Sequence, residues 1–159
     1  MLFNIPPSLP AELIYVLARM GHGDDIAIVD SNYPAFSDAH STYLAKPIDL
    51  PGRDLIEAMT DILSLLPLDT FDKTPVQIMA SPGGTPSVHR DAEKVLATVP
   101  GAPWSVHPLE RFAFYEQVKT AFAVVRTVER RPYGNVILKA GVIAPNGQLM
   151  TPEFAAAAD

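Results

Sequence analysis

Four short stretches of this 159-residue chain hold side chains whose types and spacing could do chemistry. Met20-Gly21-His22-Gly23-Asp24 sets an imidazole between two glycines. Such a His has little side-chain cover, and it titrates near neutral pH, which suits a general acid or base. The same pattern also serves as a helix stop with a surface residue behind it. Asp30 closes the apolar run Ile26 to Val29, where it can accept hydrogen bonds from a ligand or cap the turn through Ser31 and Asn32. Arg111 and Tyr115 are spaced four apart, with Leu109, Phe112 and Ala113 falling mostly on the other side. Arg111 offers a planar fork of donors suited to sugar hydroxyls or a carboxylate, or to an ordinary surface Glu. Pro132-Tyr133-Gly134-Asn135 reads as a turn, and it also supplies a phenol and an amide that each donate and accept.

The elements that position these groups follow from hydrophobic spacing. Leu9, Leu13, Val16, Leu17 and Met20 predict a helix stopped by Gly21, and Ile26 to Val29 a buried strand. Ser31 to Pro34 is a turn, and Thr42 to Ala45 reads as a short second strand. Leu55, Met59, Ile62 and Leu66 predict a helix ended by Pro67, and Val76 to Ala80 a strand followed by a Gly-rich loop. Val88 to Thr98 reads as a surface helix, and Pro108 as the opening of a helix through Lys119. Phe122 to Val125 and Val136 to Leu138 complete the strands; from Asn146 the signal stops, and Ala155 to Ala158 reads as a frayed tail. Strands alternating with amphipathic helices imply an α/β fold with a largely parallel central sheet, in which ligands sit off the carboxyl ends of strands. His22 and Asp30 flank one strand. They share a pocket only if the His22 loop folds back or if they meet across a subunit boundary.

Composition narrows the classes. Twelve Lys+Arg against 18 Asp+Glu give a net charge of −6, which argues against nucleic acid or an anionic membrane as the main partner. The absence of Cys removes disulfides, thiolate metal sites and Cys nucleophiles. Hydrophobic residues make up 48% and charged residues 19%, the balance of a folded domain. The 16 Pro are spread along the chain as turn and element boundaries. Met1 to Leu9 lacks the basic start of a secretory signal, so the expected compartment is the cytoplasm. His40, His89 and His107 have no metal-ligand spacing and read as surface or capping residues. No P-loop, Gly-x-Gly-x-x-Gly, His-Glu-x-x-His or Gly-x-Ser-x-Gly pattern occurs.

Taken in order, five stretches resemble the D-ribose pyranase / L-fucose mutarotase family (RbsD/FucU). They are Met20 to Asp24; Asp30 with Tyr33-Pro34; Arg111 to Glu116; Lys119 to Val125; and Tyr133-Gly134-Asn135 followed by Ile137 to Val142. The resemblance spans the chain to about Pro145, so residues 1–145 form one domain and 146–159 a C-terminal tail longer than the family usually carries. It implies a three-layer α/β/α fold and a monosaccharide mutarotase that opens and recloses the sugar ring without cofactor or metal. It also implies His22 as the catalytic acid, with Asp30, Arg111, Tyr115, Tyr133, Gly134 and Asn135 holding the sugar. Arg111 and the neighbouring Phe114-Tyr115-Glu116 resemble the L-fucose branch, whereas the ribose branch tends to carry His at the Arg111 position. At Asn32 and Phe36 the chain departs from the fucose branch, which often has further His residues there. The resemblance further implies a ring-shaped homo-oligomer, often a decamer, with pockets near subunit contacts. The rival readings are a D-ribose pyranase and a non-catalytic sugar-binding accessory protein of a transport system.

Overall fold

A computed structural model describes residues 2–157. The elements in chain order are α1 (Ala11–Arg19), β1 (Asp25–Val29), α2 (Ala35–Ala39), β2 (Ile48–Asp49), α3 (Leu55–Leu63), β3 (Val76–Met79), α4 (Ser87–Leu96), β4 (Val106–Leu109), α5 (Arg111–Val118), β5 (Ala123–Arg126), β6 (Val136–Lys139) and α6 (Pro152–Ala157). The strands form one sheet in the order β2-β5-β1-β6-β3-β4.

All five residues of β1 are buried, because the strand is covered on both faces. Its side chains alternate between two cores. Ile26 and Ile28 join Leu13 and Val16 of α1, Met59 and Ile62 of α3 and Val88 and Leu96 of α4 on one face. Ala27 and Val29 join Ala35 and Ala39 of α2 and Phe114 and Val118 of α5 on the other. This is the expected three-layer α/β/α arrangement.

The sheet is largely parallel, as expected, but β6 runs against both of its neighbours, β1 and β3. The connection from β5 to β6, residues 127–135, contains no helix. It cannot carry the chain back across the sheet, so β6 enters from the edge at which β5 left. That edge therefore gathers the carboxyl ends of the parallel strands and the amino end of β6.

Other expectations need correction. Thr42 to Ala45 is a run of turns, with Ala45 at φ 57°, and the edge strand is Ile48–Asp49 instead. Pro108 does not open a helix. It lies in β4, the outer strand, where a missing N–H leaves no ladder unpaired, and α5 starts at Arg111. Glu110 caps α5 by accepting from the N–H groups of Phe112 and Ala113. α3 ends at Leu63, short of Leu66. The segment expected to fray contains α6, which covers Ala155 to Ala157, while Ala158 lies outside the described residues. Among the described residues no helix is long and apolar enough to cross a membrane.

Gly141 marks a tight crossing where the Leu68 segment pairs with the end of β6: a Cβ there would strike the Leu68 carbonyl oxygen and come within 2.9 Å of Asp69 N. We expect Gly141→Ala to destabilise the fold by about 1–3 kcal/mol through overpacking, which lowers Tm by several degrees. A thermal melt within about 1 °C of the parent contradicts this packing.

Candidate active site

Asp30 follows β1 and is 4% exposed. Its backbone N–H donates to Asn135 Oδ1 at 2.8 Å, and Asn135 Nδ2 donates back to Asp30 Oδ2 at 2.8 Å. The Asn32 N–H donates to Asp30 Oδ1 at 2.9 Å. Burial raises the carboxyl above its usual 3.8, and the bonds from Asn135 and Asn32 pull it part of the way back. Between the unfolded and folded pKa the folded chain holds the extra proton. Stability therefore falls as pH rises through that window, and ionised Asp30 is kept at a cost to the fold.

Tyr133 and Gly134 precede Asn135 on the same edge. Gly134 is needed there, since a Cβ would lie 2.7 Å from Glu129 Cγ. Tyr133 sits at φ 65°, and its carbonyl accepts a hydrogen bond from His89 Nε2 at 2.9 Å. His89, expected as a surface or capping residue, is thus a buried residue of α4. His40 and His107 are exposed, as expected.

Arg111 opens α5, and its guanidinium lies 4.7 Å above the Phe112 ring. It lines a cleft of about 490 Å³ with Tyr133, Glu110, Pro108, Ser81 and Pro82. Phe112 was expected on the other side of the helix. It stands instead beside both Arg111 and Tyr115, because the buried face of α5 belongs to Phe114 and Val118. Tyr115 packs edge-on against Tyr33, whose hydroxyl donates to Asp38. A larger cleft, about 570 Å³, opens on the same edge between Ser31, Asp49, Arg126 and Arg130. It holds none of the expected sugar-binding residues, so size does not choose the site here.

His22 stands apart. It is exposed, in a loop pinned by Gly23 N–H to the Ala140 carbonyl at 2.8 Å and by Gly21 N–H to Asp24 Oδ2 at 2.7 Å. These partners mark the amino end of β1. Five strand residues at about 3.3 Å each separate it from Asp30, a gap of more than about 15 Å. The loop does not fold back.

The sequence reading missed the partner of His22. Asp69 is 3% exposed, accepts from the Phe71 N–H with Oδ1 at 2.9 Å and faces His22 Nε2 with Oδ2 at 3.1 Å. A carboxylate only accepts, so it holds the hydrogen on Nε2 and leaves Nδ1 as the free nitrogen. The edge of the imidazole rests on Phe71, with ring centroids 5.8 Å apart.

The family model described as the RbsD / FucU transport protein family matches residues 3–143. The chain belongs to the RbsD/FucU family. Among RbsD/FucU relatives, a fucose mutarotase of Danio rerio is 40% identical over 151 residues, covering 91% of this chain and 96% of its own. An L-fucose mutarotase of Actinobacillus pleuropneumoniae is 41% identical over 145 residues, covering 89% and 97%. A solved structure, the fucose mutarotase of Streptococcus pneumoniae in complex with L-fucose, superposes with TM-score 0.82 at 34% identity, covering 90% of this chain and all of that one.

Asp69→Asn preserves the shape but turns an amide N–H toward Nε2, which favours the opposite tautomer. We expect sugar anomer exchange, measured by saturation-transfer NMR, to slow about 10–100-fold, the usual range for a lost orienting partner. Exchange within twofold of the parent removes Asp69 from the site.

Proposed function

We propose that this protein is a mutarotase that interconverts the anomers of L-fucose or a closely related sugar. The observation that carries the reading is the set of groups on one sheet edge: Asp30 and Asn135 bonded to each other, with Tyr133, Gly134 and Arg111 beside them. Carboxylate, amide, phenol and guanidinium are the donors and acceptors that sugar hydroxyls require. The names of the relatives and the bound L-fucose of the pneumococcal structure support the same reading.

The reaction needs one proton delivered and one removed. His22 in its acid form gives a proton to the ring oxygen while a solvent water takes one from the anomeric hydroxyl and later returns a proton to the imidazole. The bond from C1 to the ring oxygen breaks, and C1 becomes an aldehyde. Rotation about the next carbon–carbon bond and reclosure give the other anomer. An acid–base pair contributes about 10²–10⁴-fold, enough for a reaction that already proceeds in water, so neither cofactor nor metal is called for.

Because β1 holds His22 and Asp30 apart, the working site joins the His22 end of one copy to the Asp30 end of the next. Exposed aromatics flank both ends, Phe71 beside His22 and Phe112 beside Arg111. Head-to-tail contacts close into rings when the rotation between copies closes. With the family resemblance beside that geometry, we assign the chain to a ring homo-oligomer, a decamer, and to the cytoplasm. Residues 1–145 carry the site, and the tail from 146 lies outside it.

His22→Ala is expected to abolish anomer exchange while the protein stays folded and oligomeric. The parent is expected to exchange L-fucose at least about tenfold faster than D-ribose, since the two pyranoses present their hydroxyls to the Arg111 fork with different stereochemistry and only L-fucose carries a methyl on C5. Arg111→His narrows that gap by slowing the hexose. Near-parental exchange in His22→Ala removes His22 from the mechanism, parental exchange no faster than in buffer alone favours a sugar-binding accessory protein, and D-ribose faster than every hexose tested favours a pyranase.

A further inference from the structure

Tyr133 is the cleft residue whose backbone is strained. Its φ of 65° is one that residues with a Cβ avoid, and among the described residues only Asn4 and Ala45 share it outside glycine. Such a conformation persists only where the surroundings impose it. Two groups outside the cleft do so. His89, 7% exposed on α4, directs Nε2 at the Tyr133 carbonyl at 2.9 Å. A carbonyl only accepts, so Nε2 carries the hydrogen. Glu129, 3% exposed, accepts from the N–H groups of Arg130 and Arg131 at 2.9 and 2.8 Å and from the Arg131 guanidinium at 3.0 and 2.7 Å. Arg131 in turn reaches Asp91, also on α4, at 2.9 Å.

α4 thus grips the turn at two points. Asp91 acts through exposed and half-buried charges, but His89 lies in the inward row with Val88, Ala92 and Leu96. An aliphatic side chain would fill that row without bringing a polar ring out of water. Among the described residues the carbonyl of Tyr133 is the only hydrogen-bond partner of the His89 ring. A buried polar group with one partner, on the residue that is strained and lines the cleft, points to a task in the site.

We propose that His89 is a positioning residue of the sugar site, whose Nε2–H holds Tyr133 in its left-handed conformation and so keeps the phenol on the cleft wall. This rests on the reading of Tyr133 as a sugar-binding residue. The effect runs through binding: the sugar and its transition state lose the same phenol contact when the turn relaxes, so KM rises and kcat stays.

The test measures L-fucose exchange by NMR over a range of sugar concentrations for His89→Leu, His89→Gln, Tyr133→Phe and the double variant His89→Leu/Tyr133→Phe, with a thermal melt of each. His89→Leu is expected to raise KM about fivefold, with kcat within about twofold, as for the loss of one hydrogen bond. His89→Gln places an amide N–H near the position of Nε2 and is expected to recover most of the loss. In the Tyr133→Phe background, His89→Leu is expected to add nothing to KM. The proposal is overturned if His89→Leu leaves KM at the parental value, whether or not Tm falls, or if its full effect persists without the phenol. If Tyr133→Phe itself leaves KM unchanged, the sugar-site reading of Tyr133 fails and the role of His89 falls with it.

Discussion

β1 is extended, buried on both faces and hydrogen-bonded on both sides, to β5 in parallel and to β6 in antiparallel register. A strand held this way neither bends nor shortens, because a one-residue slip would exchange the side chains of its two cores. The distance between its ends is therefore fixed, and those ends carry His22 and Asp30. The proton donor and the sugar cradle proposed for these ends cannot serve one substrate within one copy. The ring assembly proposed above rests on that constraint.

The direction of β6 decides what surrounds Asp30. Because β6 starts at the edge where the parallel strands end, Asn135 stands beside Asp30 and locks it through two reciprocal bonds. The same short return forces the turn through Tyr133 and Gly134, with Glu129 filling the space that a side chain at Gly134 would need. The carboxylate held against its desolvation and the tyrosine held in a disfavoured conformation are both paid for by contacts elsewhere in the fold. Strain gathered at one edge, braced by rigid elements, is characteristic of sites where geometry serves function.

Much of this was legible in the residues. The alternation of apolar runs and amphipathic stretches announces α/β layering, and β1, β3, β5 and β6 lie within a residue or two of where the apolar runs put them. The short elements were not legible. α2 has five residues and β2 two, too few for a period to show, and in β4 His107 and Pro108 separate Val106 from Leu109, so no apolar run marks it. His22, Asp30, Arg111, Tyr133 and Asn135 were legible as chemistry, but their grouping came from the family resemblance and not from their spacing. Asp69 lies 47 residues from His22 and His89 lies 44 from Tyr133, and neither carries a local pattern that sets it apart from an ordinary turn or helix residue. Only the crossing of chain segments in space makes them partners.

The claim that the site is shared between copies is tested most directly by mixing two inactive variants, His22→Ala and Asp30→Ala, by co-expression, and measuring L-fucose anomer exchange in the mixed oligomers. Each variant alone supplies only one half of every site. In random mixed rings one contact in four pairs an intact His22 with an intact Asp30, so about a quarter of parental activity returns. Mixed oligomers, verified by native mass spectrometry, that remain as inactive as their components would contradict a site built between copies.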